Sequence, residues 1–565
     1  MTTDTRAPIS SPPGIAGWWE RRSTREKWLL AAGIVSIFVL LPLRGLFRRQ
    51  GPPMEEGFML VFAERVLAGD VPNVDFLHLY GPGSLWVLAG VFKVFGVSLW
   101  AERIVALLQQ LGIIFGVFFL ARSWGRTAAT LAASITAVIV LPPTGLAALA
   151  WNGGLALGLW GVGLALEGRR RAGTGAGTVL AVAGGVLLGL AVLYRQDLVL
   201  AVALALAVLC WGAPRPVIGK LLAGAAVGVA PYLIHVAMAG IGDAVNGLIV
   251  EPIFDLRGGR SLPVPPTWQR VDGFLNDRGD LDAIDWPFPR LWSGAQLTIW
   301  FATLFLSVLT LVLVGLWRRR ANPTSCTALT LVAVAAFCVG LLPQALQRAD
   351  NTHLAWTTCV PFGFLTIAFI EILRNRQPDW QPRVRALLAG GSILAFLLVV
   401  IPNFTARDYT DVAAQTFDVH RRSYDISYRG RDFFYGRPDV PPALAELLPE
   451  ANRISKPGDR LFVGTSDLRK TPYSDAFLYY LLPELEPATY YIEMDPGVAN
   501  APDSGLAEEL ASADIVILSS VWDPWEEPND SEDFGPDAPN RVLQEQFCLV
   551  GEYGGLYRLF ERCDK

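Results

Sequence analysis

The chain has 565 residues, of which 52% are hydrophobic and only 18% charged; with a mean hydropathy of +0.37, this is the composition of a chain lying mostly in a bilayer. The formal net charge of −5 leaves no broad basic surface for nucleic acid, so no nucleic-acid partner is expected. Met1–Lys27 is polar and rich in Pro and Ser, and no small-residue cleavage site follows the first apolar run, so residues 1–27 read as a tail on the inner side of the membrane and not as a removable signal.

In chain order, apolar segments long enough to span occur at 28–46, 100–121, 127–142, 145–167, 176–193, 196–212, 217–239, 294–316, 324–343, 354–373 and 384–402. A span needs about 20 apolar residues, so the expectation is a polytopic α-helical membrane protein of about eleven transmembrane helices. Ser84–Gly96 is too short to cross, carries Lys93, and reads as a helix lying in the interface. With the N-terminus inside and Ser84–Gly96 not crossing, Arg122/Arg126, Arg169–Arg171, Arg215/Lys220, Arg318–Arg320 and Arg374/Arg376 all fall on the inner face, as the positive-inside rule requires. Arg44, Arg48 and Arg49 break the pattern at the outer end of the first span; they are either anion-facing groups or headgroup anchors.

That topology sends nearly all informative polar residues to the outer face. The first exterior loop, 47–97, contains a helix expected over Glu55–Ala68, amphipathic and ended by Gly69. An extended piece and the turn Tyr80-Gly81-Pro82-Gly83 follow. Such a stretch is either a site or an ordinary exterior loop. On a helix the adjacent Glu55 and Glu56 point about 100° apart, so one of them faces any given site. A carboxylate beside a dry cavity can act as a general base, because burial raises its proton affinity; first-turn charge favouring the helix dipole is the simpler account. Asp75 and His78 follow in the extended part, where a lone His is more often an interfacial side chain without a special role.

Arg195, Gln196 and Asp197 interrupt apolar sequence at the outer end of a span, where charged groups either face a cavity or snorkel to headgroups. Arg103 is a similar case, with Glu102 as its expected partner. Gln347–His353 puts Arg348, Asp350 and His353 at the lip of another span, and Arg offers the planar fork that suits a phosphate. The long loop 240–293 adds Glu251, Asp255, Arg257, Arg260, Asp282 and Asp285, as a substrate lid or a plain surface loop. Residues 403–565 return to the patterning of a soluble α/β unit, with strands at Arg460–Val463 and Asp514–Ser519, helices at Ser474–Leu482 and Gly505–Ala511, and a closing hairpin around Gly554-Gly555. No Gly-rich phosphate loop follows either central strand. Cys210, Cys326, Cys338 and Cys359 read as core residues. Cys548 and Cys563 fall on the oxidising side of this topology, which allows a disulfide, but the hairpin register does not set them opposite one another and weighs against it.

Glu55-Glu56, Ala68-Gly69-Asp70-Val71-Pro72, Val74-Asp75-Phe76, Tyr80-Gly81-Pro82-Gly83, Phe95-Gly96-Val97-Ser98 and Arg103 together resemble the first exterior loop of the GT-C membrane glycosyltransferases. The nearest resemblance is to the group that includes the protein O-mannosyltransferases and the lipid A aminoarabinose transferase. The resemblance implies a GT-C-like transmembrane domain over 28–402 and a small exterior α/β domain over 403–565. It also implies inverting transfer of a sugar from a polyprenyl-phosphate donor to a cell-envelope acceptor, at the outer (periplasmic) face of the inner membrane. The family's catalytic Asp falls on Glu55, with Glu56 beside it and the second acidic position on Asp75. Its Lys-Pro-Pro motif is missing where Tyr80-Gly81-Pro82 stands, so phosphate binding is expected of Arg195 or Arg348. Asp197, Asp350, His353, Tyr80, His78 and Arg103 complete the expected donor site. The acidic loop leaves room for a divalent cation, but without metal-ligand spacing. A transporter or flippase of lipid-linked sugars, and a catalytically silent scaffold, remain alternative readings; the lack of an inverted repeat and the little charge in mid-span count against the transporter.

Overall fold

The computed structural model describes residues 23–49, 53–264, 284–421, 423–525 and 527–563. Asp282 and most of the tail 1–27 lie outside them. Among the described residues, nine helices are long and apolar enough to cross a membrane: Thr24–Arg48, Leu99–Trp124, Arg126–Pro143, Gly175–Tyr194, Arg215–Ala239, Ser293–Ala321, Cys326–Gln347, Asn351–Arg376 and Pro382–Val399. Two expected spans are helical but fall short of that test. Ala150–Arg170 has the length, yet its six glycines, Asn152 and Glu167 dilute its hydropathy. Gln196–Cys210 is too short. Gly83–Phe95 is a 13-residue apolar helix, short of a crossing as expected.

Small residues let the helices approach closely. A Cβ on Gly185 would stand 2.1 Å from the carbonyl oxygen of Leu221, and one on Gly189 2.3 Å from that of Ala225; Gly224 and Gly228 meet the carbonyls of Val182 and Val186 in the same way. Glycines four apart on both partners give backbone-to-backbone packing, which suits a medium where apolar burial between helices gains little. Ala150–Arg170 packs on the other side of Gly175–Tyr194, with Gly161 and Gly184 facing each other across the contact.

Charges sort to the two ends of the bundle. At one end Arg122 pairs with Glu167 at 3.0 Å and Arg318 with Glu371 at 2.9 Å. At the other end lie the first loop, the 241–262 stretch and the C-terminal domain. There Arg44 and Arg48 pair with Asp418, at 2.6 and 3.0 Å, and Arg49 pairs with Asp408 at 2.9 Å. These three arginines are thus held by carboxylates of the segment that follows the last membrane helix.

The C-terminal domain has an antiparallel hairpin, β1 (Tyr424–Tyr428) and β2 (Arg431–Tyr435), turned at Arg429-Gly430 with positive φ at both. A five-stranded sheet follows, built from β3 (Arg460–Thr465), β4 (Glu486–Pro487), β5 (Ile515–Ser519), β6 (Phe547–Tyr553) and β7 (Tyr557–Arg562), in the order β4-β3-β5-β7-β6. β3 pairs in parallel with β4 and β5, and β7 runs antiparallel between β5 and β6. The expected strands are all present. The helix expected over Ser474–Leu482 shortens to Phe477–Leu481, because Ser474 and Asp475 turn inward. Asp475 is wholly buried and accepts bonds from Tyr435, Ser519, Trp522 and Tyr557 at 2.9–3.1 Å.

The expectation for Cys548 and Cys563 fails. They form a disulfide, with Cα atoms 5.0 Å apart. Cys548 stands opposite Glu561 in the ladder, but the chain leaves β7 after Arg562 and brings Cys563 back across the strand end. Register fixes neighbours only within a ladder, and Cys563 is past its last rung. Closing a 15-residue separation stabilises by about 3 kcal/mol in the chain-entropy account. Reduction, or Cys563→Ser, should therefore lower the unfolding temperature of the C-terminal domain, read by thermal melts with and without reductant. Cys326 is exposed and not a core residue, whereas Cys338 and Cys359 are buried.

Candidate active site

The first-loop helix runs from Pro53 to Ala68, and Gly69 ends it at φ +115°. It is not amphipathic. From Met54 to Ala63 every side chain except Glu55 is buried, because the helix lies beneath the C-terminal domain. A Cβ on Gly57 would come within 2.8 Å of the Phe477 backbone nitrogen. Arg431 grips Glu64 through both guanidinium NH groups, at 2.6 and 2.7 Å.

The two glutamates separate as their helical spacing requires. Glu56 turns into the protein, where Arg103 donates to it from Nε at 2.7 Å and Nη2 at 2.9 Å, with both side chains fully buried. Arg103 also holds the carbonyl oxygens of Phe47 and Arg49. The expected partner Glu102 instead accepts the Ala148 N–H. Glu55 is half-buried and faces the other way, toward Arg260, Arg348 and Asp350. Burial pushes its carboxyl above the usual range; the two arginines draw it back only in part, and Asp350 adds to the rise.

Opposite Glu55 a continuous polar network joins the lips of two membrane helices. Arg195 donates from Nε to both oxygens of Asp197, each at 3.0 Å, and its guanidinium lies 4.2 Å from the Tyr80 ring centre and 5.0 Å from that of Trp151. The Gln344 amide bridges onward: its nitrogen donates to Asp197 at 2.9 Å, and its oxygen accepts from Arg195 Nη2 and His353 Nε2, each at 3.2 Å. His353 Nδ1 meets the Asp350 carboxylate at 2.8 Å, and Asp350 caps the helix that follows by accepting the His353 N–H. Asp350 also accepts from Arg348 Nε at 2.7 Å. Burial would raise the Asp350 carboxyl, but His353 and Arg348 outweigh it and hold it well below the usual carboxylate range.

Sequence reading thus places Arg195, Asp197, Arg348, Asp350, His353 and Tyr80 in one cluster, with Glu55 across from it. Three expected members stand apart. Asp75 is exposed and accepts the Val71 N–H at 2.7 Å, capping its own turn. His78 is buried among the rings of Phe62, Phe76 and Tyr80, and burial pushes its imidazole down to about 3, so it is neutral. Arg103 serves Glu56. Gln196, read only as a spacer, ties the cluster to the first loop by donating to the Leu79 carbonyl at 2.7 Å.

The structure adds partners that sequence reading passed over. Arg348 is held by more than Asp350: its Nη1 donates to the Arg260 carbonyl and to Glu527, each at 2.8 Å, and its Nη2 donates to Glu527 as well. All three of its guanidinium nitrogens are engaged by protein. Arg260 closes the short turn Arg257–Arg260; its Nη1 donates to Asp495 at 2.9 Å and its guanidinium lies 5.9 Å from the Tyr473 ring centre. Tyr473 is buried with φ +121°, a strained backbone costing about 1–3 kcal/mol and found most often at functional sites. The Gly258-Gly259 pair beside Arg260 was the one visible signal of a tight approach. Among the described residues, no three His, Cys, Asp or Glu side chains converge as a metal site would require, so the acidic loop supplies no ligand set for a divalent cation.

No protein-family model matches the sequence, and no curated protein matches it either. Solved structures do match. ArnT from Cupriavidus metallidurans, solved bound to undecaprenyl phosphate, aligns with a TM-score of 0.52 at 14% identity, over 95% of this chain and 98% of that one. The chain shares the fold of that structure. The archaeal oligosaccharyltransferase AglB from Archaeoglobus fulgidus, solved with an inhibitory peptide and a dolichol-phosphate, aligns with a TM-score of 0.47 at 12% identity, over 89% of this chain and 70% of that one. With its apolar helices, that shared fold makes this a multi-pass membrane protein carrying a small C-terminal sheet domain.

Proposed function

We propose that the protein is an inverting glycosyltransferase that takes a sugar from a polyprenyl-phosphate donor and delivers it to a hydroxyl acceptor of the cell envelope, at the outer face of the membrane. The observation that carries this is Glu55: a half-buried carboxyl with raised proton affinity, facing the guanidinium of Arg260 and the Asp350–His353 pair at one end of an apolar helical bundle. The ArnT structure holds undecaprenyl phosphate on the same fold, which supports a lipid phosphate as the leaving group. The Cys548–Cys563 disulfide supports an oxidising compartment for the exterior domain.

In this reading the acceptor oxygen attacks the anomeric carbon as the bond from that carbon to the phosphate oxygen breaks. The electron pair leaves with the phosphate, and Glu55 takes the acceptor's proton. A single displacement inverts the anomeric centre. Negative charge grows on the departing phosphate, and a preorganised cation there lowers the barrier. Arg348 is already bonded through all three of its nitrogens, whereas among the described residues Arg260 donates one side-chain bond, to Asp495. Arg260 therefore takes the phosphate role first expected of Arg348. Arg348 orients Asp350, and through it His353 and Gln344, while Arg195 packs against Tyr80 and Trp151.

The test is transfer by the purified protein in nanodiscs from a panel of polyprenyl-phosphate sugars. Wild type should turn over at least one donor. Arg260→Ala should lose about 10²–10³-fold in turnover, the range for removing one preorganised donor from a site of developing charge. Donor binding without turnover by wild type would replace the transferase with a transporter, and no binding at all would leave the scaffold.

A further inference from the structure

Arg260 and Arg348 reach the site from the membrane domain, but the carboxylates that hold them do not. Asp495 lies between β4 and β5, and Glu527 between β5 and β6; both are wholly or almost wholly buried. They are 235 and 179 residues from their arginines in sequence. The backbone is built around the same contacts. A Cβ on Gly259 would stand 2.1 Å from the Pro496 carbonyl oxygen, and one on Gly258 2.3 Å from Asp530 Oδ2, so the turn bearing Arg260 sits directly on the exterior domain. On the domain's side, Met494 adopts φ +55° between Glu493 and Asp495, and both of these carboxylates face Arg260. Glu493 also faces Glu55. The domain also accepts a bond from the first loop, whose Leu77 N–H donates to the Tyr490 carbonyl at 2.9 Å.

We infer that the exterior domain completes the donor site, with Asp495 as the positioning residue that aims Arg260 at the lipid phosphate and Glu527 as the one that anchors Arg348. A guanidinium on a four-residue turn has too many rotamers to be aimed by its own element. Two carboxylates from a rigid sheet domain remove that freedom before the phosphate arrives, as supporting groups do around other charged ligands. The consequence is specific: a conservative change 235 residues away from Arg260 in sequence should weaken phosphate binding, although Asp495 carries the same sign as the ligand.

This inference rests on the lipid-phosphate reading of the site, and binding of undecaprenyl phosphate to the full chain in nanodiscs separates the two. Wild type should bind, and Arg260→Ala should bind weakly; failure of either overturns the lipid-phosphate reading itself. With both satisfied, Asp495→Asn should weaken binding by about 10–100-fold, the range for losing a group that orients a ligand-binding side chain. Asp495→Glu should recover most of that loss, which a purely structural role would not produce. Gly259→Ala, which touches no charge but displaces the turn, should weaken binding in the same direction. Asp495→Asn binding as tightly as wild type, or more tightly, would overturn the inference and make Asp495 a competitor of the phosphate. If Asp495→Asn fails to fold by its melting curve, Gly259→Ala decides the question alone, and unchanged binding there is fatal.

Discussion

Glu55→Gln is expected to cut sugar transfer by about 10²–10⁴-fold while leaving undecaprenyl-phosphate binding within a few-fold of wild type. That range is what a positioned general base contributes. Gln matches the shape of Glu and keeps one acceptor oxygen, so the pocket should stay formed, but it cannot take the acceptor's proton. The pH dependence gives a second, independent readout. A general base works only when deprotonated, so activity falls as pH drops through its pKa. Burial raises the Glu55 carboxyl, and Arg260 and Arg348 offset this only partly. The acidic limb of the rate profile should therefore lie above the ordinary glutamate range, and the residual activity of Glu55→Gln should lack that limb. A variant with the limb intact, or with wild-type turnover, would remove Glu55 from the chemistry.

The parts of this site that were legible in the sequence share one property. Arg195-Gln196-Asp197 and Arg348–His353 are charges at the ends of apolar helices, where placing them costs free energy, so their presence is informative without any structure. The same holds for the Glu55-Glu56 step, whose helical spacing requires the two groups to diverge and which the structure resolves into one outward and one buried carboxyl. Glu493, Asp495 and Glu527 were illegible, and Arg260 was visible only as one charge among several in its loop, for the opposite reason. They lie in a long loop and a water-facing domain, where charge is ordinary, and only tertiary contacts mark them. The burial of the first-loop helix was hidden too: it was expected to be amphipathic, whereas Arg431 holds Glu64 and the Phe477 backbone packs against Gly57. Arg103 was paired with its sequence neighbour, although adjacent residues on a helix do not face each other. The fold class needed only apolar length. The count of spans did not follow, since the glycines that let Ala150–Arg170 pack closely also lower its hydropathy.

Arg103→Ala should cost the protein more stability than any other single change at this end of the bundle. Arg103 and Glu56 are both fully buried and joined by two hydrogen bonds, and the guanidinium also ties down the carbonyls of Phe47 and Arg49 and lies 4.9 Å from the Phe434 ring centre. One side chain thus joins the C-terminal end of the first helix, the first-loop helix and the hairpin of the C-terminal domain. Truncating it leaves the Glu56 carboxylate buried and unpaired, with Glu102 also buried in the same region, and breaking such a pair costs about 3–5 kcal/mol. Glu56→Gln should cost less, because the amide still accepts one bond from Arg103 and no bare anion is left inside. The comparison also separates the two glutamates. If Glu56 braces the scaffold, Glu56→Gln lowers the melting temperature in nanodiscs while transfer per folded molecule stays far above that of Glu55→Gln. If Glu56→Gln instead melts like wild type and loses turnover, the base is Glu56, and the outward carboxyl is the bystander. Combining Arg103→Met with Glu56→Met distinguishes further, since replacing both charges removes the unpaired ion but leaves the Phe47 and Arg49 carbonyls without their donor. Recovery of part of the lost stability, but not all of it, is the expected result.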